Sequence, residues 1–122
     1  MHNIHYLRDA KGRSDVEDYL RELSVKRDKD SRIKLNKIHE YIEALSEYGT
    51  AIGLPKVKHL TGELWELRPL RDRIIFVAWI DNSFVLLHHF MKTTQKTPSR
   101  EIEQAKRELA YLKERGLYDE EN

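Results

Sequence analysis

The 122-residue chain contains no cysteine. Disulfides, a thiolate nucleophile and any Cys-based zinc site are therefore excluded. Glycine and proline are scarce, with five and three residues. No low-complexity linker appears, and no Gly-rich phosphate loop, G-x-S-x-G elbow or nucleophile–base spacing is present. No apolar run approaches the length that crosses a bilayer, and no segment has the pattern of a secretory leader. The expectation is a soluble cytoplasmic protein of one domain, residues 1–122, without a membrane. An excess of one charge is missing too. The 22 Lys and Arg offset 21 Asp and Glu, leaving a net +1, too little for strong non-specific binding to nucleic acid.

What is present is a charged, helix-rich chain with 39% apolar and 35% charged residues. Helices with long solvated faces produce that balance. The charge is unevenly spread. Residues 1–53 carry ten Lys and Arg against ten Asp and Glu, residues 54–100 eight against four, and residues 101–122 four against seven. An anionic partner would be met by the middle of the chain.

The pattern along the chain gives a β-α-α-β-β-β-α order. NIHYL reads as a short strand, with Ile4 and Tyr6 alternating against polar neighbours. Ser14 and Glu17 have capping-box spacing, and Val16, Tyr19, Leu20 and Leu23 share one helical face. Past the charged stretch KRDKD, Leu35, Ile38, Ile42 and Leu45 form a second face, with Gly49 as its stop. From Leu64 the period changes to two. LWELRPL puts Trp65 and Leu67 on one side and Leu64, Glu66 and Arg68 on the other. RIIFVAWI is apolar after its first residue, as in a strand covered on both faces. Asp81-Asn82-Ser83 is turn chemistry, and SFVLLHHFM returns as the hairpin partner. A last amphipathic helix follows, with Thr97 as its expected N-cap, Pro98 at its first position and Gly116 at its end. The class is α+β, a small antiparallel sheet with an N-terminal helical hairpin and a C-terminal helix packed on it.

That hairpin brings cations together. Arg73 opens one strand and Lys92 ends the next, so both lie at the edge away from the turn. Arg68 reaches the same edge through the Pro69–Asp72 turn, and Lys96 follows in the exit loop. Four mutually repelling cations suit an anion such as phosphate. The plainer alternative is that they are solvated surface charges, or that Arg73 pairs with Glu66 or Asp72. His88 and His89 point to opposite faces of a strand and cannot share one metal. We expect one to be a satisfied core histidine and the other exposed. The acidic residues fall on helix faces and are not expected to pair near the cationic edge, which disfavours two-metal phosphoryl chemistry. No metal and no cofactor is implied.

The segments LWELR, the Arg73 that opens the central strand, and F-x-K-x-x-Q-K-T-P followed by E-I-x-x-A resemble the RelE/ParE toxin superfamily. The likeness is to its HigB-like branch, also called phage Gp49-like. It covers Leu54 to Leu112 closely and the N-terminal third only in its strand–helix–helix outline. It implies the toxin of a type II toxin–antitoxin pair, a ribosome-dependent endonuclease that cuts mRNA without metal by attack of the ribose 2′-OH on the adjacent phosphate. The implied partners are the ribosome, mRNA and a cognate HigA-like antitoxin of helix-turn-helix type. Arg68 and Arg73 match the two arginines that contact the scissile phosphate, and Lys92 matches the basic position at the exit of the last strand. Lys56, Lys58, Arg71 and Lys96 would meet RNA backbone.

The sequence departs from the pattern in two places. Leu64 and Glu66 stand where some members carry lysines, and Thr97, Pro98 and Ser99 stand where some carry a tyrosine. The general base is thereby left open. His59, of a residue type that titrates near neutrality, is one candidate; a surface loop histidine is the other reading. Two further functions share the likeness, a ParE-like poison of DNA gyrase and an inactive module that only binds its antitoxin.

Overall fold

The structure, a computed structural model, describes residues 1–117. Its elements run β1 (Asn3–Tyr6), α1 (Asp15–Val25), α2 (Lys29–Tyr48), a 3-10 turn (Gly49–Ile52), β2 (Val57–Thr61), β3 (Leu64–Leu67), β4 (Asp72–Trp79), β5 (Ser83–Met91) and α3 (Ser99–Arg115). The strands form one sheet in the order β1-β5-β4-β3-β2. The class is α+β, as the residue pattern indicates.

Two features of the sheet go beyond that pattern. The run KVKHL, read as lying ahead of the first sheet strand, supplies β2, an edge strand antiparallel to β3. Its periodicity is weak because only Val57 is buried. The sheet is also mixed, since β1 joins the free edge of β5 in parallel.

Local chemistry explains the helix boundaries. Ser14 Oγ accepts from Glu17 N, but the box stays half closed because Glu17 turns its carboxylate to Arg8, 2.7 Å away. KRDKD splits between two helices. Lys26 ends α1, while Asp28 caps α2 by accepting from Ser31 N and Ser31 Oγ, both at 2.9 Å. Gly49 closes α2 at φ 68°, a conformation that costs glycine nothing. At the last helix the expected cap is corrected. Pro98 is the N-cap and Ser99 the first helical residue, with no side-chain capping bond.

Each face of the sheet is covered. Val16, Leu20 and Leu23 of α1 and Ile38 and Leu45 of α2 pack on Val57, Leu67, Ile74, Phe76, Phe84 and Leu86. On the other face Ala105 and Leu112 of α3 meet Leu64, Ile75, Val77, Val85, Leu87 and Phe90. Residues 72–77 of β4 are all buried, which is why that strand reads as a continuous apolar run after Arg73. Each buried apolar side chain among them stabilises by about 2 kcal/mol. The rigid central pair β4–β5 fixes where its two ends away from the turn must lie. Those ends are Asp72-Arg73 and Met91-Lys92.

Candidate active site

In register, Arg73 stands opposite Phe90 and Asp72 opposite Met91. The ladder continues one step further, because Lys92 N donates to Arg71 O at 2.8 Å and Arg71 Nη2 donates to Lys92 O at 3.3 Å. The β3–β4 connection turns tightly, with Asp72 N donating to Pro69 O. It holds Leu70 at φ 57°, left-handed and unfavourable for a leucine. That backbone aims the Leu70 carbonyl at Arg73, whose Nη1 donates to it at 2.7 Å and to Asp72 O at 2.8 Å. Beside this anchored guanidinium lies an open groove lined by Leu70, Arg71, Arg73, Lys92, Thr93, Thr94 and Gln95. Three cations and two hydroxyls face one hollow, and none of the lining residues is acidic.

Arg73 is 6% exposed. Burial and the neighbouring Arg68 charge hold its pKa below the ordinary value, against Glu66 and Asp72, which raise it. Arg68 lies nearby, with its Nε 3.6 Å from Glu66 Oε1, while Arg73 Nε is 3.9 Å from the same oxygen. Glu66 is buried. An acidic residue therefore does pair at the cationic edge, which is the plainer alternative for Arg73 and not the scattering of acidic residues over helix faces. The period-two spacing of Glu66 and Arg68 already placed them on one face; that the helix α3 would cover that face was not readable there.

The other candidates are dispersed. Lys58 stands across from Glu66 in register and is exposed. Lys56 packs its Nζ 5.2 Å from the Tyr41 ring on the helical-hairpin side. Lys96 is exposed, its carbonyl taken by Thr94 Oγ1. His59 pairs with Trp65 in register, sets its ring edge on the indole at 5.1 Å and bonds Gly62 O through Nε2 at 2.8 Å. Strand alternation puts it on the Trp65 and Leu67 face, opposite Glu66 and Arg73. The structure does not bring it to the groove.

Both histidines of β5 are partly buried and paired, so neither is the exposed one expected. His89 Nε2 lies 3.0 Å from Asp72 Oδ1, and its ring stacks on Tyr19 at 3.7 Å. Tyr19 Oη donates to the same oxygen at 2.8 Å. Burial would raise the Asp72 carboxyl, but the His89 and Tyr19 hydrogen bonds and the Lys34 charge outweigh it and lower the pKa. His88, on the α3 side, has Nε2 2.6 Å from Glu101 Oε1 and Nδ1 3.5 Å from Asp15 Oδ2. Among the described residues no group of three or more His, Asp or Glu is arranged to hold a metal ion. Among the described residues no helix is long and apolar enough to cross a membrane.

With that geometry in place, residues 15–110 match a known family, the phage-derived protein Gp49-like proteins. The chain belongs to that family. Gp49-like proteins are RelE/HigB-like toxins associated with toxin–antitoxin systems, which suggests a cognate antitoxin as partner. Among curated proteins nothing matches the chain. The Gp49-like match takes in every residue of the groove and both arginines beside Glu66.

Proposed function

We propose that this Gp49-like protein is the HigB-type toxin of a type II pair, an endoribonuclease that cuts mRNA on the ribosome. The observation that carries the reading is the groove in which Arg71, Arg73 and Lys92 face one hollow with Thr93, Thr94 and Gln95 and no carboxylate. In the reaction the ribose 2′ oxygen attacks the adjacent phosphorus and the bond to the 5′ oxygen breaks. The products are a 2′,3′-cyclic phosphate and a 5′-hydroxyl. Negative charge on the phosphoryl oxygens grows on the way to the transition state, so preorganised cations stabilise it more than the ground state. Arg73, fixed by two carbonyls, is preorganised in this sense. Lys92 and Arg71 complete the clamp, while Arg68, outside the groove lining, shares the Glu66 carboxylate with Arg73. His59 is left out of the reacting set because it occupies the other face. The partners under this reading are the ribosome, its mRNA and a HigA-like helix-turn-helix antitoxin.

The test is in vitro translation with 5′-end mapping of the mRNA, beside naked mRNA and a gyrase cleavage assay. Cuts in ribosome-bound message alone, with cyclic or 3′-phosphate ends and unchanged by EDTA on isolated complexes, support the reading. Cleavage complexes on gyrase with intact mRNA would replace it by the gyrase-poison function.

A further inference from the structure

Glu66 is an acidic side chain enclosed at the cationic edge on the Arg73 face of the sheet, and no proposed step uses it. It is 2% exposed, on the α3 side of β3. A buried carboxylate is costly unless its oxygens are matched, and here they are divided. Oε1 faces both Arg68 Nε at 3.6 Å and Arg73 Nε at 3.9 Å, while Oε2 accepts from Thr97 Oγ1 at 2.7 Å. The arginine contacts are ion pairs longer than hydrogen bonds, and Arg68 Nε is buried without a hydrogen-bond partner. The Thr97 bond is short, and it comes from the far end of the loop that starts at Lys92. One carboxylate thus touches β3, β4 and the exit loop.

We propose that Glu66, held by Thr97, is the positioning residue of the site. It keeps two like-charged guanidiniums side by side and registers the Lys92–Thr97 loop against them. Its catalytic consequence rests on the proposed function; its effect on the arginines belongs to the free protein. Without the Thr97 hydroxyl, Glu66 is free to turn toward the arginines and draw them out of line with the groove. Without the Glu66 charge, the guanidiniums repel and separate.

Thr97→Val removes the hydroxyl at nearly constant shape, Thr97→Ser restores it, and Glu66→Gln removes the charge while keeping an acceptor for Thr97. Two readouts apply: single-turnover cleavage on programmed ribosomes across protein concentration, and NMR exchange of the arginine Nε protons in the free protein. A misplacement of about 1 Å costs up to roughly a hundredfold in rate. Thr97→Val is expected to lower the maximal rate at least tenfold on that scale, with the half-saturating concentration unchanged. Arg68 and Arg73 Nε protons should exchange faster in Thr97→Val and Glu66→Gln, and Thr97→Ser should restore both readouts. Wild-type rates in Thr97→Val and Glu66→Gln overturn the proposal, as does a loss that lies wholly in half-saturation. If wild-type protein cuts no message on ribosomes, the proposed function fails, and the exchange rates alone decide whether Glu66 positions the arginines.

Discussion

At the scale of single residues, Arg73 and Lys92 look equivalent as cations and are not. Arg73 is buried and holds two carbonyls and an ion pair, so Arg73→Ala leaves Leu70 O, Asp72 O and part of the Glu66 charge unmatched. That should cost about 3 kcal/mol of stability, seen as a lower midpoint in denaturant. Lys92 is only partly buried and lies at the rim of the groove, so Lys92→Ala should unfold as the wild type does. Its cleavage rate should fall about a hundredfold by loss of roughly 3 kcal/mol of transition-state stabilisation. A ribosome-pelleting assay should find Lys92→Ala bound as well as wild type; loss of pelleting would make Lys92 an anchor instead. Thr94 spends its hydroxyl on the Lys96 carbonyl within the loop. Thr94→Ala should therefore cut within a few-fold of wild type, a loss below about 1 kcal/mol of barrier. The cations themselves could be found by residue type and strand position. The Thr97–Glu66 bond could not, because it joins residues 31 positions apart, and a Thr before Pro reads first as a helix cap.

At the scale of elements, α3 is fastened to the sheet by more than Ala105 and Leu112. His88 of β5 faces Glu101 and Glu108 of α3 and Asp15 of α1, with Arg100, Gln104 and Arg107 lining the same hollow. Burial lowers the imidazole pKa, but the Asp15 and Glu101 hydrogen bonds and the Glu108 charge outweigh it, so the net shift is upward from 6.5. A raised histidine stabilises the fold fully below its unfolded value and loses that contribution as pH rises through the folded one. The Asp15 shift acts in a more acidic window, whereas the Glu108 shift adds a decline with rising pH that begins near 4.5. Asp15 is lowered from 3.8, chiefly by its His88 bond, and Glu108 is raised from 4.5 by burial. Thermal midpoints should therefore decline as pH rises above 6.5. In His88→Asn that slope should flatten, and an unchanged slope would remove His88 as its source. β2 is the element the residue pattern does not separate from loop. Its edge position leaves four of its five residues incompletely buried, so neither alternation nor an apolar run marks it.

For the molecule as a whole, charge sets the substrate it can reach unaided. A net +1 supplies little counterion release, so free RNA should bind feebly at physiological salt. Under the proposed function the ribosome then has to present and orient the message. Naked mRNA at equal concentration should survive where ribosome-bound mRNA is cut. Efficient cleavage of the naked strand would show that the groove recruits RNA by itself.

The amino-acid pattern was sufficient for the α+β class, the helical hairpin, the β4–β5 pair and the convergence of Arg73 with Lys92. Each of these follows from local period, caps and a turn, interactions that act within a few residues. Three matters needed the folded chain: the parallel addition of β1 to β5, the placing of His59 on the far face, and the enclosure of Glu66 between Arg68, Arg73 and Thr97. They depend on strand register, on which face α3 covers and on which strand edge is left free. Those are outcomes of packing among distant segments, and burial turns the same carboxylate from a solvated charge into the group that fixes two arginines.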